Sequence, residues 1–189
     1  MTQKTLIISH GDKGGVGKSL TANVIASMLF ERGEKIGIIE ADAGGGKQGS
    51  GGTPDVAPRF LNRVAKTASL PLQDSGKEAS ASIDRMMEMV ESWPLSYVVM
   101  NTPANASSIL GDPAVSETLA EALEAMGIDL RVTYSWTPNA PNSVDNAVYA
   151  VQGAFFEAAS HGALIKNMQF GDDADYEEAI KKNKVLNKV

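Results

Sequence analysis

The sequence predicts an α/β protein with a three-layer α/β/α architecture and a mostly parallel sheet. Short apolar segments rich in β-branched residues alternate along the chain with segments whose apolar residues recur every three or four positions. Strands that alternate with helices form βαβ units, and the crossover helices of such units make the strands parallel. The 189 residues are enough for one domain with a substantial core, and we expect a single domain over residues 1–189.

The N-terminal part of the chain predicts two strands, one helix and one long loop. Lys4–Ser9 is apolar and predicts a buried strand, and Lys35–Asp42 predicts a second one. Between them a helix is expected to end at Gly33, because glycine is favoured just past a helix end. Ala43–Pro58 contains six glycines and two prolines, which predicts a mobile loop. The apolar stripe of the helix is formed by Leu20, Val24, Met28 and Leu29.

The middle of the chain continues the alternation. A helix should end near Trp93, because the proline that follows disfavours helical backbone at the residue before it. Its apolar residues are Ile83, Met86, Met87 and Val90. Leu95–Ala104 predicts the next strand, and Asp112 followed by Pro113 is typical of a helix start.

The C-terminal part adds two strands and two helices. Ile128–Trp136 predicts a strand, and a helix is expected from about Ser143 to Ser160. Ala163–Phe170 predicts the last strand, and Asp175–Lys188 predicts a terminal helix.

Composition excludes several classes of protein. The chain has no cysteine, which rules out disulfides and thiolate metal sites. The formal net charge of −6 argues against a strong nucleic-acid-binding surface over the whole chain. No apolar segment is long enough to span a membrane, and the apolar part of "MTQKTLIIS" is too short for a secretory signal. We therefore expect a cytoplasmic protein.

The stretch "SHGDKGGVGKSLTAN" (Ser9–Asn23) carries the clearest functional signal. It lies between a predicted buried strand and a predicted helix, where glycines let backbone N–H groups point into a concave anion site. Lys18 can then reach the β- and γ-phosphates of a nucleotide, and the hydroxyl of Ser19 can bind Mg²⁺. The residues predicted to bind the nucleotide here are Asp12, Gly14, Gly15, Val16, Gly17, Lys18, Ser19 and Leu20.

The form of this loop points to one family. The general P-loop pattern has glycine five residues before Gly17, where this chain has Asp12, and the next residue is Lys13. With "KGGVGKS" the chain resembles the ParA/MinD family, the deviant Walker A ATPases of plasmid partition and division-site placement. The partition branch also lacks the first glycine, which makes a plasmid partition or stability protein the closer match. The resemblance implies a P-loop NTPase fold, ATP and Mg²⁺ as cofactors, and an ATP-dependent homodimer in which Lys13 reaches the partner's phosphates.

Two acidic residues lie at the end of the second predicted strand, as they do in the family. Glu40 and Asp42 are two positions apart, so on a strand they face the same side. The resemblance assigns Asp42 to positioning the attacking water and Glu40 to a supporting role. With Lys13 and Lys18 they form the predicted catalytic set. An ordinary acidic pair at a strand end is the alternative.

Two further sites follow from the resemblance. In "VVMNTPA" (Val98–Ala104), Asn101 stands where the family has an aspartate that contacts the water shell of Mg²⁺. Because asparagine is neutral, either metal affinity or turnover is reduced, or the acidic pair supplies the charge. Asn167 resembles the family's adenine-reading asparagine, since an amide has both a donor and an acceptor for the adenine edge. An asparagine that merely ends a strand is the alternative there.

Taken together, the resemblance implies an ATPase with slow turnover that works as an ATP-dependent dimerisation switch. Plasmid or chromosome partition, plasmid stability and accessory roles in conjugation are the processes it implies, with a partition or conjugation adaptor as protein partner. The C-terminal lysines leave non-specific DNA binding open, and no membrane partner is expected. Two alternatives stay open: a nucleotide-binding adaptor with little or no hydrolysis, and an ATP-dependent carboxylate-activating enzyme on the same fold.

Overall fold

A computed structural model describes residues 3–42, 56–72, 76–104, 106–169 and 171–188. The strands are β1 Lys4–His10, β2 Ile36–Glu40, β3 Lys66–Ser69, β4 Tyr97–Asn101, β5 Ile128–Trp136 and β6 His161–Lys166. The helices are α1 Lys18–Glu31, α2 Gly76–Ser92, α3 Ser107–Leu110, α4 Pro113–Ala125, α5 Ser143–Gln152, α6 Ala154–Glu157 and α7 Asp173–Lys182. Short 3₁₀ turns cover Ala57–Phe60 and Leu186–Lys188.

The six strands form one parallel sheet in the order β3-β2-β4-β1-β5-β6. Because all strands point the same way, their carboxyl ends meet at one edge. The register pairs Asn101 with Ser9 on one side and with Glu40 on the other. This arrangement confirms the predicted α/β architecture and brings three predicted functional segments to the same edge.

Helices pack on both faces of the sheet but unequally. On one face, α2, α4 and α6 cover a core that includes Leu6 and Ile8 of β1. A further cluster joins Tyr134 and Trp136 of β5 to α5 and α7. On the other face, the described core around Ile7 is formed with α1 and the turn Ala57–Phe60. The second helical layer therefore consists, within the described ranges, mainly of α1.

The orientation of α1 differs from the prediction. Leu20, Val24 and Met28 were expected to face the core, yet their exposed fractions are 65%, 48% and 49%. Leu29 is the one residue of the predicted stripe that is buried, and it shares the buried face with Lys18, Ala22 and Ala26. The physical reason is that the loop turns Lys18 inward, which sets the rotation of the whole helix. The two alanines then allow α1 to approach the sheet closely.

Several element boundaries also differ. The strand β3 was missed, because it is a half-exposed strand at the edge of the sheet without apolar alternation. The helix predicted to reach Ser160 ends at Gln152, and α6 begins after Gly153, whose cap backbone is extended.

Near the C-terminus, β6 spans His161–Lys166, so Asn167 is the first residue after it. The predicted terminal helix begins two residues early, at Asp173, where the side chains of Asp172 and Asp175 form a capping box, and α7 ends at Lys182.

The end of the predicted glycine-rich loop is ordered into structure. Val56 is buried, and the 3₁₀ turn begins at Ala57, so the predicted loop Ala43–Pro58 is too long at this end. The rest of that prediction, residues 43–55, lies outside the described residues. None of the described helices combines the length and apolarity that crossing a bilayer requires.

The rotation of α1 can be tested by two equal truncations. Leu29→Ala removes a buried side chain and should lower the free energy of unfolding by about 2–5 kcal/mol. Leu20→Ala removes an exposed one and should change it by no more than about 0.5 kcal/mol. Urea denaturation followed by circular dichroism measures both. Equal losses in the two variants would show that α1 is rotated differently.

Candidate functional site

The loop between β1 and α1 presents the positive end of a helix. The N-cap residue of α1 is Gly17, which has no side chain that could cap the helix. The N–H groups of the first helical turn therefore depend on a ligand or solvent for partners. Gly17 has a φ of 107°, and an added Cβ would lie 3.1 Å from Nδ2 of Asn167. A larger residue at position 17 would be strained by its backbone and crowded by Asn167.

Lys18 brings a buried positive charge into this loop. Its side chain folds back so that Nζ donates a hydrogen bond to the carbonyl oxygen of Lys13, at 3.0 Å. The residue is only 5% exposed. The hydroxyl of Ser9 donates to the carbonyl oxygen of Lys18 at 2.8 Å, which fixes the first turn of α1 to β1. An anion bound in the loop would meet a cation whose position is already set.

A second group of polar side chains lies beside the first turn of α1. The amide Nδ2 of Asn101 donates to Oε1 of Glu40 at 2.6 Å and to the hydroxyl of Ser19 at 3.3 Å. An ionised carboxylate only accepts hydrogen bonds, so the Asn101 amide must turn its NH₂ group toward Glu40. Its oxygen Oδ1 is then buried with no hydrogen-bond partner among the described residues. Leaving such an atom unsatisfied costs about 1–3 kcal/mol, which points to a ligand or a water at this place.

Glu40 also connects this group to the next segment. Its second oxygen, Oε2, accepts hydrogen bonds from the backbone N–H groups of Val56 at 2.8 Å and Ala57 at 3.3 Å. The side chain is fully buried. One carboxylate thus holds both the Asn101 amide and the start of the 3₁₀ turn.

The remaining predicted site residues lie around the same loop. Asn167 donates from Nδ2 to the carbonyl oxygen of Gly15 at 3.4 Å, although the two residues are far apart in sequence. Lys13 and Asp42 are half-buried, and Asp42 follows Glu40 by two residues. Leu20 is exposed, so it could serve a ligand in the loop through its backbone N–H alone. The sheet therefore gathers the loop, Ser19, Glu40, Asn101 and Asn167 at one edge.

Sequence reasoning missed a buried polar cluster behind the loop. His10 is 4% exposed, and its ring nitrogens lie 3.3 Å from the Thr102 hydroxyl and 2.8 Å from the Ser107 hydroxyl. Burial lowers the pKa of His10 to about 4, so the ring is neutral at pH 7. The ring also makes an edge-to-face contact with Tyr134. No spacing in the sequence links these residues, because strand register and chain crossover bring them together.

The oxygen atoms beside α1 suit a small divalent cation. The hydroxyl of Ser19, Oδ1 of Asn101 and the Glu40 carboxylate are hard donors of the kind Mg²⁺ prefers. Among the described residues no group of three or more His, Cys, Asp or Glu side chains could hold a metal ion by itself. A Mg²⁺ ion here would therefore depend on Ser19 together with oxygens of the bound ligand and water, with Asn101 and Glu40 close by.

These features define a class of fold. A parallel sheet with a glycine-rich loop between its central strand and α1, ending in Gly17-Lys18-Ser19, is the P-loop NTPase fold. The solved structures agree with this. The structure of a plasmid partition protein from Borrelia burgdorferi superposes with a TM-score of 0.59 and 15% sequence identity. The match covers 97% of this chain and 87% of the partition protein. The structure of FtsY from Mycoplasma mycoides superposes with a TM-score of 0.57 and 14% sequence identity. That match covers 98% of this chain and 58% of the FtsY chain.

Sequence comparison finds a relative whose match covers most of this chain. The chain is 28% identical to Protein MobD of Acidithiobacillus ferrooxidans over 174 residues, which is 92% of this chain and 68% of MobD. No protein-family model matches the chain. The chain spans a little over half the length of the FtsY it resembles.

The neutral state of His10 should make stability depend on pH. The unfolded chain takes up a proton near pH 6.5, whereas the folded protein does so only at about 4. Stability is therefore full above pH 6.5 and falls as the pH drops, by about 2 kcal/mol between pH 7 and pH 5. Urea midpoints measured across this range should show the loss in the native protein. In His10→Gln most of it should disappear, and an unchanged pH dependence there would assign the effect to other groups.

Proposed function

We propose that this protein is a nucleotide-dependent switch of the ParA/MinD type, which binds ATP with Mg²⁺, dimerises and hydrolyses ATP slowly. The observation that carries the proposal is the pairing of two features at one sheet edge. One is the glycine loop with the buried Lys18, and the other is the Ser19–Asn101–Glu40 group. The first suits a polyphosphate and the second suits the cation that accompanies it.

The loop would hold the triphosphate by backbone groups and one charge. Gly14, Gly15, Val16 and Gly17 supply the N–H groups, and the helix N-terminus adds about half a positive charge. Lys18 would exchange its contact with the Lys13 carbonyl for the β- and γ-phosphates. A bound Mg²⁺ would neutralise developing charge on the phosphates, with the Ser19 hydroxyl as its protein ligand. Asn167 beside Gly15 would read the base, which favours adenine.

Hydrolysis would rest on few protein groups. Asp42 follows β2 at the same edge as the loop and would orient the attacking water. Glu40 would support it from the metal side, because Glu40 is held by Asn101 and by two backbone N–H groups. With Asn101 neutral, the metal side carries one carboxylate instead of two, which supports slow turnover.

Dimerisation would bring two anionic nucleotides face to face, and each would need added positive charge. Lys13 lies in the loop and would reach the phosphates bound by a second copy of the chain. We propose a role in plasmid partition, plasmid stability or conjugation, together with an adaptor protein, and the likeness to a plasmid partition protein supports the first of these. Two of the C-terminal lysines that could contact DNA, Lys181 and Lys182, are paired with Glu177 and Glu178 on α7.

A second function is favoured by one observation. Asn101 replaces the anion expected beside Mg²⁺, and its amide is already engaged with Glu40 and Ser19. A nucleotide-bound adaptor without hydrolysis would need only the loop and Lys13. Single-turnover assays separate the two functions, since Asp42→Ala slows an ATPase and leaves an adaptor unchanged.

Two lysine substitutions test the switch. Lys18→Met keeps the length of the side chain but removes its charge, and it should abolish ATP binding measured by calorimetry. Lys13→Ala should keep ATP binding yet stay monomeric with a non-hydrolysable ATP analogue in light scattering. Melting temperatures close to the native value serve as the control for folding. Normal dimerisation of both variants would refute the proposed shared nucleotide site.

Asn101→Asp tests the metal side of the site. A second carboxylate beside Glu40 repels it, so without Mg²⁺ the free energy of unfolding should fall by about 1–3 kcal/mol. Mg²⁺ with ADP should then stabilise this variant more than the native protein. Glu40→Gln combined with Asn101→Asp keeps one charge at the site and should restore the metal-free stability. A variant as stable as the native protein, with the same response to Mg²⁺, would show that position 101 is not linked to the metal.

A further inference from the structure

Asp12 joins three parts of the fold through one carboxylate. Oδ2 accepts a hydrogen bond from the hydroxyl of Tyr134 on β5 at 2.6 Å. Oδ1 accepts one from the backbone N–H of Ser107, the first residue of α3, at 3.3 Å. The Asp12 side chain is only 11% exposed. This is the position at which the general P-loop pattern has a glycine, which has no side chain to make either bond.

Gly11 makes these contacts of Asp12 geometrically feasible. A Cβ added at position 11 would lie 2.5 Å from the carbonyl oxygen of Ser135, closer than real Cβ atoms come. The chain therefore runs against β5 at this point, which brings the next side chain within reach of Tyr134. The glycine needed for the close approach lies one residue earlier than in the general pattern.

Two uncharged rings lie beside the Asp12 carboxylate. Burial and the neighbouring Asp12 carboxylate raise the pKa of Tyr134, so its hydroxyl keeps the proton that it donates. His10 is neutral, and its Nε2 atom lies 3.9 Å from Oδ1 of Asp12. The Tyr134 hydroxyl and the Ser107 N–H, which donate to the Asp12 carboxylate, are both neutral, and the neutral His10 ring lies beside it.

The segment after β4 is also connected to the loop at its other end. Asn101 donates to the Ser19 hydroxyl, and the Thr102 hydroxyl donates to the carbonyl oxygen of Ser9 at 3.0 Å. With the Asp12–Ser107 bond, the start and the end of residues 101–107 are both attached to the β1–α1 region. A shift of the loop would therefore act on both attachment points of this segment.

We propose that Asp12 is a positioning residue that braces the phosphate-binding loop against β5 and couples the loop to residues 102–111. The inference rests on the proposed nucleotide binding. It adds that occupancy of the loop is relayed to α3 through the Asp12 carboxylate. This bracing contact, called the brace below, requires a hydrogen-bond acceptor at position 12 and the Tyr134 hydroxyl as the donor.

A double-mutant cycle on ADP affinity tests the brace. Asp12→Ala removes both acceptors and should weaken ADP binding about five- to tenfold in calorimetry, the equivalent of one or two lost hydrogen bonds. Tyr134→Phe removes one donor and should weaken it about two- to fivefold. The double variant should be no weaker than Asp12→Ala, because both changes remove the same bond. Asp12→Asn keeps an acceptor for the Ser107 N–H but loses the one for the Tyr134 hydroxyl, so its ADP affinity should fall only to the level of Tyr134→Phe.

Hydrogen exchange provides a readout that loss of stability alone would not change. In the native protein, ADP should slow amide exchange in the loop and in residues 102–111. In Asp12→Ala the change should be confined to the loop. Asp129→Ala is the matched control. Asp129 lies on the same strand as Tyr134 but near its opposite end, and its carboxylate accepts hydrogen bonds from Ser160 and Arg131. This variant should keep both the ADP affinity and the change in residues 102–111.

The outcomes separate the inference from the proposed function. A native protein that binds no ADP overturns both. A native protein that binds ADP, together with additive losses in the cycle or an unchanged exchange response in Asp12→Ala, overturns the brace and leaves the proposed function intact. If Asp12→Ala does not fold, Tyr134→Phe with native affinity and native exchange response overturns the brace by itself.

Discussion

The tight passage from the central strand β1 into α1 is the constraint on which the other features depend. It requires the chain to approach β5 at Gly11 and to turn through a left-handed Gly17. It also directs Lys18 into the loop, which fixes the rotation of α1 about its axis. From that rotation follow the alanine face against the sheet and the exposed apolar stripe on the outside. A local requirement of the loop thus determines how one layer of the fold packs.

Much of the fold could be predicted because the relevant signals are local. The strands β1, β2, β4 and β5 are apolar segments with clear ends, and the loop is defined by the spacing of its glycines and lysines. The face of α1 could not be predicted in this way. Apolar periodicity identified the helix but indicated the wrong buried face, because the inward position of Lys18 sets the rotation of α1. The edge strand β3 was missed because its residues are exposed or half-buried and have no apolar pattern.

The candidate site was predictable in its parts but not in its connections. Motif spacing identified Ser19, Glu40 and Asn101 separately, and the strand register explains why they meet. The hydrogen bond from Asn101 to Glu40 joins the neutral residue at position 101 and the acid at position 40 into one unit. The cluster of His10, Asp12 and Tyr134 depends on contacts between residues more than a hundred positions apart, for which the sequence has no local signal.

The unequal layers have a consequence for how this protein loses its structure. On one side of the sheet, the described core is closed mainly by α1, and the same helix begins with the residues that would grip a phosphate. Detaching α1 would uncover the apolar side chains of the central strands and dismantle the anion-binding loop in one event. Binding of a ligand in the loop and resistance to proteolysis would therefore both depend on the same equilibrium. That equilibrium is the attachment of α1 to the sheet and its detachment.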